Sequence, residues 1–203
     1  MALTAIALNC TLKGGASASS TDKLLAEVLA ELAKHDVSGE VLRVVDYDIK
    51  PGVSSDEGSG DEWPRIRERV MAADILVLGT PVWLGQPSSV AKRVLERMDA
   101  FLGETDDRER MPAYGKVAVV AVVGNEDGAH HCHAETFQAL SDVGFTVPPN
   151  AGTYWVGEAM GATDYKDLAQ PYGKTMRATR MLAANAAHLA RLLKAEQYPG
   201  LQD

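Results

Sequence analysis

The stretch Val117-Ala118-Val119-Val120-Ala121-Val122-Val123 is the longest uninterrupted apolar run in the chain. It is far shorter than the ~20 residues that a membrane-spanning helix requires. A short run rich in valine is typical of a parallel strand that is covered by helices on both of its faces. We therefore predict a buried strand at this place.

Three more short apolar runs and a weaker one predict further strands, and helical patterns separate them. The strands are expected at Leu3 to Leu8, Val41 to Val45, Ile75 to Leu78 and, weakly, Thr153 to Val156. Helices are expected around Leu24 to Leu32, Glu62 to Ala73, Val90 to Met98, Ala129 to about Val143, and Met181 to Leu193. This alternation predicts an α/β protein with a doubly wound, five-stranded parallel sheet in three layers.

Composition favours one domain over residues 1–203 in a reducing compartment. The chain has 203 residues, 46% of them hydrophobic, and two cysteines, Cys10 and Cys132, which make no disulfide framework. No basic region precedes the apolar segment within Met1 to Leu8, so we expect no secretory signal and a cytoplasmic location. The segment Pro51 to Asp61 is rich in glycine, serine and acidic residues, which predicts a solvated loop rather than a linker.

The formal charge disfavours two classes of partner. Twenty Lys and Arg residues stand against 28 Asp and Glu residues, which gives a net charge of -8. An acidic surface without a local basic cluster repels phosphate backbones and anionic lipid. The sequence therefore predicts no nucleic-acid partner and no membrane partner.

In an open α/β sheet, ligands bind beyond the carboxyl ends of the strands, so the loops that follow the strands indicate the function. The first loop, Asn9 to Thr21, is rich in small and hydroxyl residues and runs into a helix. Hydroxyl groups and free amides at a helix N-terminus suit a phosphate monoester. The alternative is that Ser20 or Thr21 merely caps the helix. The dinucleotide fingerprint G-x-G-x-x-G is absent after the first strand.

Two further loops reach the same edge of the predicted sheet. The loop Gly79 to Ser89 places Trp83 between Pro81 and Gly85, where backbone amides can approach a flat ring. The loop Gly124 to His131 again follows a buried strand with polar residues bounded by glycine. One loop for a phosphate and two loops for a ring predict a mononucleotide cofactor site.

At these loops the sequence resembles the flavodoxin-like family, specifically the NAD(P)H-dependent FMN reductases and related flavin quinone reductases, over residues 3–195. The segment Thr80-Pro81-Val82-Trp83-Leu84-Gly85 is similar to the family's T-P-x-Y-x-G flavin loop, with Trp83 in place of tyrosine. Ser19-Ser20-Thr21 is similar to its S-N-T phosphate-binding end, and Thr11 matches a hydroxyl in the same loop. The family's common G-S-x-R start is replaced by Asn9-Cys10-Thr11-Leu12.

The resemblance implies an enzyme with FMN as cofactor, NAD(P)H as cosubstrate, a small-molecule electron acceptor such as a quinone or free flavin, and a homodimeric state. A flavodoxin-type electron carrier without its own nicotinamide site is the alternative, and a flavin-free binding module is a third possibility. No catalytic acid or base is assigned, because the flavin supplies the chemistry. The implied binding residues are Thr11, Ser19, Ser20 and Thr21 for the phosphate, the backbone of Pro81, Val82, Trp83, Leu84 and Gly85 for the ring, and Asn125, Glu126, Asp127 and Gly128 near its other edge.

One run of residues consists of types that can bind zinc: His130, His131, Cys132 and His133. Consecutive residues at the start of a helix point in different directions, and no second group of ligands with a suitable spacing follows. We therefore expect no metal, and surface or flavin-edge positions for these histidines.

Overall fold

The computed structural model describes residues 2–201, which alternate between strands and helices. The strands are β1 (Leu3–Asn9), β2 (Val37–Arg43), β3 (Ile75–Trp83), β4 (Gln86–Pro87), β5 (Val117–Gly124) and β6 (Gly152–Val156). The helices are α1 (Ser20–Ala33), α2 (Trp63–Ala72), α3 (Ser89–Met98), α4 (Ala129–Asp142) and α5 (Gly173–Ala195). The helix-and-strand alternation expected from the sequence is confirmed.

Five strands form the parallel sheet, in the order β2-β1-β3-β5-β6. The chain leaves β1 to one side to form β2 and then returns to the other side to form β3. The strand order therefore reverses between β1 and β3, and this switch point opens a crevice at the carboxyl edge of the sheet. The predicted flavodoxin-like, doubly wound architecture is confirmed.

Two apolar layers, one on each face of the sheet, form the core. In β5, Ala118, Val120 and Val122 face the layer that contains α2, α3 and α4. Val119 and Val123, on the alternate positions, face the layer that contains α1 and α5. Both sides of this strand are buried, which explains why its sequence shows no alternation of apolar and polar residues.

Two predicted boundaries were wrong. β2 spans Val37–Arg43 rather than Val41 to Val45, and Val44–Asp46 forms a short 3₁₀ helix. β2 is an edge strand with several exposed side chains, so its apolar content is low and the apolar run beyond it was misleading. β3 continues through Trp83, so half of the second predicted loop is strand.

A tight hairpin follows β3. Val82 and Trp83 pair in antiparallel register with Pro87 and Gln86 of β4. The two residues between the strands, Leu84 and Gly85, have φ values of 53° and 74°. Positive φ at both central positions is the mark of a type I′ turn, whose twist matches that of the strands it joins. The hairpin tip is therefore a defined turn that lies beside the crevice.

A buried ion pair organises the loop before α2. The side chains of Arg97 and Asp61 are both fully buried and lie 2.7 Å apart. Arg97 also donates to the carbonyl oxygens of Lys50 and Ser54. Burial alone would raise the pKa of Asp61, but hydrogen bonds from Arg97 and from three backbone amides lower the pKa to about 2. The prediction of a solvated loop is therefore wrong at its end, where Asp61 is an anchor.

We expect Asp61→Asn to lower the free energy of unfolding at pH 7 by ~3–5 kcal/mol, because it leaves the Arg97 guanidinium buried without its counter-charge. The native pKa of Asp61, about 2, lies below the ordinary value of 3.8 for this side chain. Its ionisation therefore stabilises the fold above pH ~4, and this contribution is lost as the pH falls through the native pKa. Urea denaturation between pH 7 and pH 2.5 measures the difference, which should shrink at the acid end.

Asp48→Asn is the matched control, since Asp48 is an exposed acid of the preceding segment. A loss of stability in Asp61→Asn no larger than in this control would contradict the role of the pair.

Candidate functional site

A cleft of about 380 Å³ opens at the carboxyl edge of the sheet, beside the switch point. It collects residues from the loops after β1, β3 and β5, as the sequence predicted for the ligand edge. Among the predicted site residues it is lined by Thr11, Ser19, Ser20, Thr21, Pro81, Val82, Trp83, Asn125 and Glu126. Leu84, Gly85, Asp127 and Gly128 lie at the hairpin tip and the neighbouring loop, outside the lining.

The polar end of the cleft is the start of α1. Ser19 is the N-cap of this helix, and its hydroxyl accepts a hydrogen bond from the backbone amide of Asp22 at 3.4 Å. The capping role considered for Ser20 or Thr21 therefore belongs to Ser19. The hydroxyl of Ser20 accepts instead from the backbone amide of Lys166. The amides of the first helical turn have no intrahelical acceptor, so this end presents positive potential to the cleft.

Arg43, at the end of β2, shapes the loop between β1 and α1. Its guanidinium donates to the carbonyl oxygens of Lys13, Gly15 and Ser17, at 3.2, 2.5 and 2.9 Å. These three hydrogen bonds tie the end of β2 to the loop and fix the shape of the loop.

A series of hydrogen-bonded polar side chains also fixes the position of the loop between β1 and α1. Asn9 is buried, and its side-chain oxygen accepts from the backbone amide of Thr11 at 3.0 Å. Its side-chain amide donates to Asp22, which is also paired with Arg43. This chain of contacts links β1, α1 and β2 through Asn9, Asp22 and Arg43. Sequence reasoning gave none of these three residues a role.

The apolar end of the cleft is made by the end of β3. Pro81, Val82 and Trp83 line it, and Trp83 is 51% exposed. Leu84 is 92% exposed at the tip of the turn. A half-exposed indole beside a cleft is available to a flat ligand.

Glu126 joins the loop after β5 to the hairpin tip. Its two carboxylate oxygens accept from the backbone amides of Leu84 and Gly85 at 3.0 and 3.3 Å. Gly128 lies beside the same turn with a φ of 132°, and a Cβ atom there would come within 2.7 Å of the Gly85 Cα atom. The second and third loops are therefore locked together beside the apolar end of the cleft.

Sequence reasoning missed a fourth contributor, the segment after β6. Met160 and Asp164 line the cleft, and Met160 donates its backbone amide to the carbonyl oxygen of Asn125. A hydrogen bond from Lys166 lowers the pKa of Asp164, and the side-chain amide of Asn125 donates to it at 2.9 Å. β6 ends at the same edge as the other strands, and this position is the signal that could have pointed to the segment.

Of the clustered histidines, His133 departs from the expected surface position. It is buried between Phe137 and Tyr154, and burial lowers its pKa to about 4. His130 packs edge-on against Tyr154. Within residues 2–201, no three His, Cys, Asp or Glu side chains are grouped so that they could hold a metal ion.

The two cysteines are both buried and unpaired by disulfide. Burial raises the pKa of Cys10 far above its ordinary range. Burial, with help from the charge of Glu135, raises the pKa of Cys132 to about 11. Both thiols are therefore protonated at neutral pH, and neither is activated as a nucleophile.

This doubly wound sheet, with a cleft at its switch point, defines a protein of the flavodoxin-like fold class. The sequence profile of the NADPH-dependent FMN reductase family matches residues 4–161. The chain belongs to this family. It is a flavin-dependent oxidoreductase, with FMN and NAD(P)H as the cofactors of the family.

Two relatives and one solved structure extend the comparison. The 8-demethyl-8-aminoriboflavin-5'-phosphate synthase of Streptomyces davaonensis is 36% identical over 208 residues, covering 98% of this chain and 81% of that protein. The crystal structure of RosB with bound intermediate 8-demethyl-8-formylriboflavin-5'-phosphate has a TM-score of 0.88 and 36% identity, over 97% of this chain and 82% of the other. The divalent metal cation transporter MntH of Mycobacterium bovis is 37% identical over 95% of this chain, which spans 29% of that longer protein.

No helix within residues 2–201 combines the length and the apolar character that crossing a bilayer requires.

Proposed function

We propose that residues 1–203 form one FMN-binding unit, and that the cleft holds FMN with its phosphate at the start of α1 and its ring at the β3 hairpin. The observation that carries this proposal is the division of one cleft into two chemically different ends. Lys13, Ser19 and Thr21 lie at the polar end, while Val82 and Trp83 lie at the apolar end. A volume of about 380 Å³ is within the ~300–1,000 Å³ range of small-molecule sites.

The residues present fit the two parts of the cofactor. The amides of the first turn of α1 point toward the cleft with the positive end of the helix dipole, which favours a phosphate. Lys13 adds a positive charge at the same end and has an exposed side chain. The flat face of Trp83 and the aliphatic Val82 and Met160 suit an aromatic ring system.

We further propose that the enzyme takes hydride from NAD(P)H and delivers electrons to a small acceptor, a quinone or a free flavin, as a cytoplasmic homodimer. The bound flavin supplies the redox chemistry at its ring nitrogen N5. The chain's own residues hold the phosphate, orient the ring against Trp83 and shield one face of the ring from water. Trp83 is half exposed, so its indole can also contact an acceptor that approaches from solvent.

The charge of Lys13 gives the first test. Lys13→Gln should weaken FMN binding about fivefold, a loss of ~1 kcal/mol, because an exposed cation contributes about that much to holding an anion. Riboflavin, which lacks the phosphate, should bind the variant and the wild type equally. Lys34→Gln, at the opposite end of α1, is the control and should change neither affinity. Equal weakening of FMN and riboflavin in Lys13→Gln would place the phosphate elsewhere.

Trp83 gives the second test. Trp83→Ala should loosen FMN about tenfold, since aromatic stacking contributes ~1 kcal/mol beyond the burial of area. The melting temperature of the apoprotein should change little, because the indole is half exposed. Leu84→Ala, one residue further in the turn and outside the cleft lining, is the matched control. If Trp83 instead packs against a second subunit, the variant would lose stability or dissociate while keeping its FMN affinity.

The third test separates a reductase from a carrier. NADH or NADPH alone should bleach the visible absorption of the FMN-loaded protein under anaerobic conditions, and a quinone should restore the colour. A flavodoxin-type carrier would keep its oxidised spectrum with either nucleotide until a separate reductase is added, and that outcome would favour the alternative.

A second candidate function is chemical modification of the flavin itself. The relative in Streptomyces davaonensis is named for making an altered riboflavin phosphate, and it is 36% identical over 98% of this chain. In the RosB structure the bound molecule is an altered flavin phosphate. Mass spectrometry of flavin extracted after aerobic incubation distinguishes the two functions, since a reductase returns FMN of unchanged mass.

A further inference from the structure

The turn that lies beside the ring end of the cleft already holds an anion of the chain itself. The amides of Leu84 and Gly85 converge on the single carboxylate of Glu126, at 3.0 and 3.3 Å. Successive amides in a turn form an anion-binding concavity, and hydrogen bonds to an ionised acceptor are stronger than neutral ones. Glu126 therefore fills the site that the hairpin amides would otherwise offer to a ligand.

The geometry around Glu126 keeps its charge at the cleft. Its side chain lines the cleft beside Trp83 and Asn125. Within residues 2–201 no Lys, Arg or His side chain forms an ion pair with it. The close contact of Gly128 with Gly85 holds the loop that carries Glu126 against the turn. The carboxylate is thus a fixed negative charge that the fold places at the ring end.

We propose that Glu126 is a positioning residue that sets the reduction potential of the bound flavin. The inference rests on the proposed placement of FMN in this cleft. Two electrons and one proton convert the neutral oxidised ring into a reduced ring that carries one negative charge. The carboxylate opposes that added charge, and it also occupies the two amides that could have stabilised it. The reduced flavin is therefore bound less tightly than the oxidised flavin, and its electrons pass more readily to an acceptor.

Two variants distinguish the effect of the Glu126 charge from the effect of its hydrogen bonds to the Leu84 and Gly85 amides. Glu126→Gln removes the charge and retains one side-chain acceptor oxygen for the turn. Glu126→Asp keeps the charge on a side chain that is one methylene shorter. Asp127→Asn is the matched control, because it removes an exposed charge from the next position in the same loop.

The midpoint potential of the FMN-loaded protein is the readout. Glu126→Gln should tighten the binding of reduced FMN relative to oxidised FMN about tenfold, which corresponds to a shift of ~30 mV to more positive potential for a two-electron couple. Glu126→Asp should remain close to the wild type. A shift in Glu126→Gln that is absent, or no larger than that of Asp127→Asn, would overturn the inference.

A second measurement needs no flavin. Hydrogen exchange of the Leu84 and Gly85 amides in the apoprotein should be at least tenfold faster in Glu126→Ala than in the wild type, because both acceptors are lost. An unchanged rate of amide hydrogen exchange would show that Glu126 does not hold these two amides. A failure of the proposed FMN site is recognised separately, because FMN and riboflavin would then respond alike to Lys13→Gln while the exchange result still holds.

Discussion

Burial of both faces of the central strands is the constraint on which the rest of the molecule depends. β1, β3 and β5 have almost no exposed side chains along their length, because α1 and α5 cover one face and α2, α3 and α4 cover the other. Polar residues that could contact a ligand therefore lie at the ends of the strands. Since the five main strands are parallel, the loops that leave their carboxyl ends meet at one edge.

Polar clamps then give those loops a defined shape. Arg43 holds three carbonyl oxygens of the first loop, and Glu126 holds two amides of the hairpin tip. One clamp is a cation that binds carbonyl groups, and the other is an anion that binds amides. The first leaves an electropositive helix start facing the cleft, whereas the second places a negative charge at its other end. The cleft therefore has a positive potential at one end and a negative charge at the other.

Much of this arrangement could be predicted from the sequence because it follows from local patterns. The run Val117 to Val123 is a strand of unambiguous length, and the helix that contains Met181 to Leu193 has a clear apolar stripe. The edge strand β2 was misplaced because exposure on one side leaves it few apolar residues. The hairpin was taken for an irregular loop because Pro81 and Gly85 are typical turn residues, although the backbone around Pro81 remains extended and pairs with β5.

The contacts that the sequence did not predict are long-range and polar. Arg97 and Asp61 are separated by 36 residues, and Asp61 stands in a segment whose composition is that of a solvated loop. Asp164 reaches the cleft from a segment 39 residues beyond its partner Asn125. The sequence does not show whether a charged residue of this kind is buried in an ion pair or exposed to solvent. Only the three-dimensional arrangement distinguishes the two.

The central claim is that the carboxyl-edge cleft binds one FMN per chain, and an amide NMR titration of the apoprotein with FMN tests it most directly. The account predicts saturation at one equivalent, with shifts concentrated in Thr11 to Thr21, Val82 to Gly85 and Asn125 to Gly128. Amides at the opposite edge of the sheet, such as those of Asp74 and Lys116, should be unaffected. The absence of shifts at millimolar FMN, or shifts centred on that opposite edge, would contradict the account.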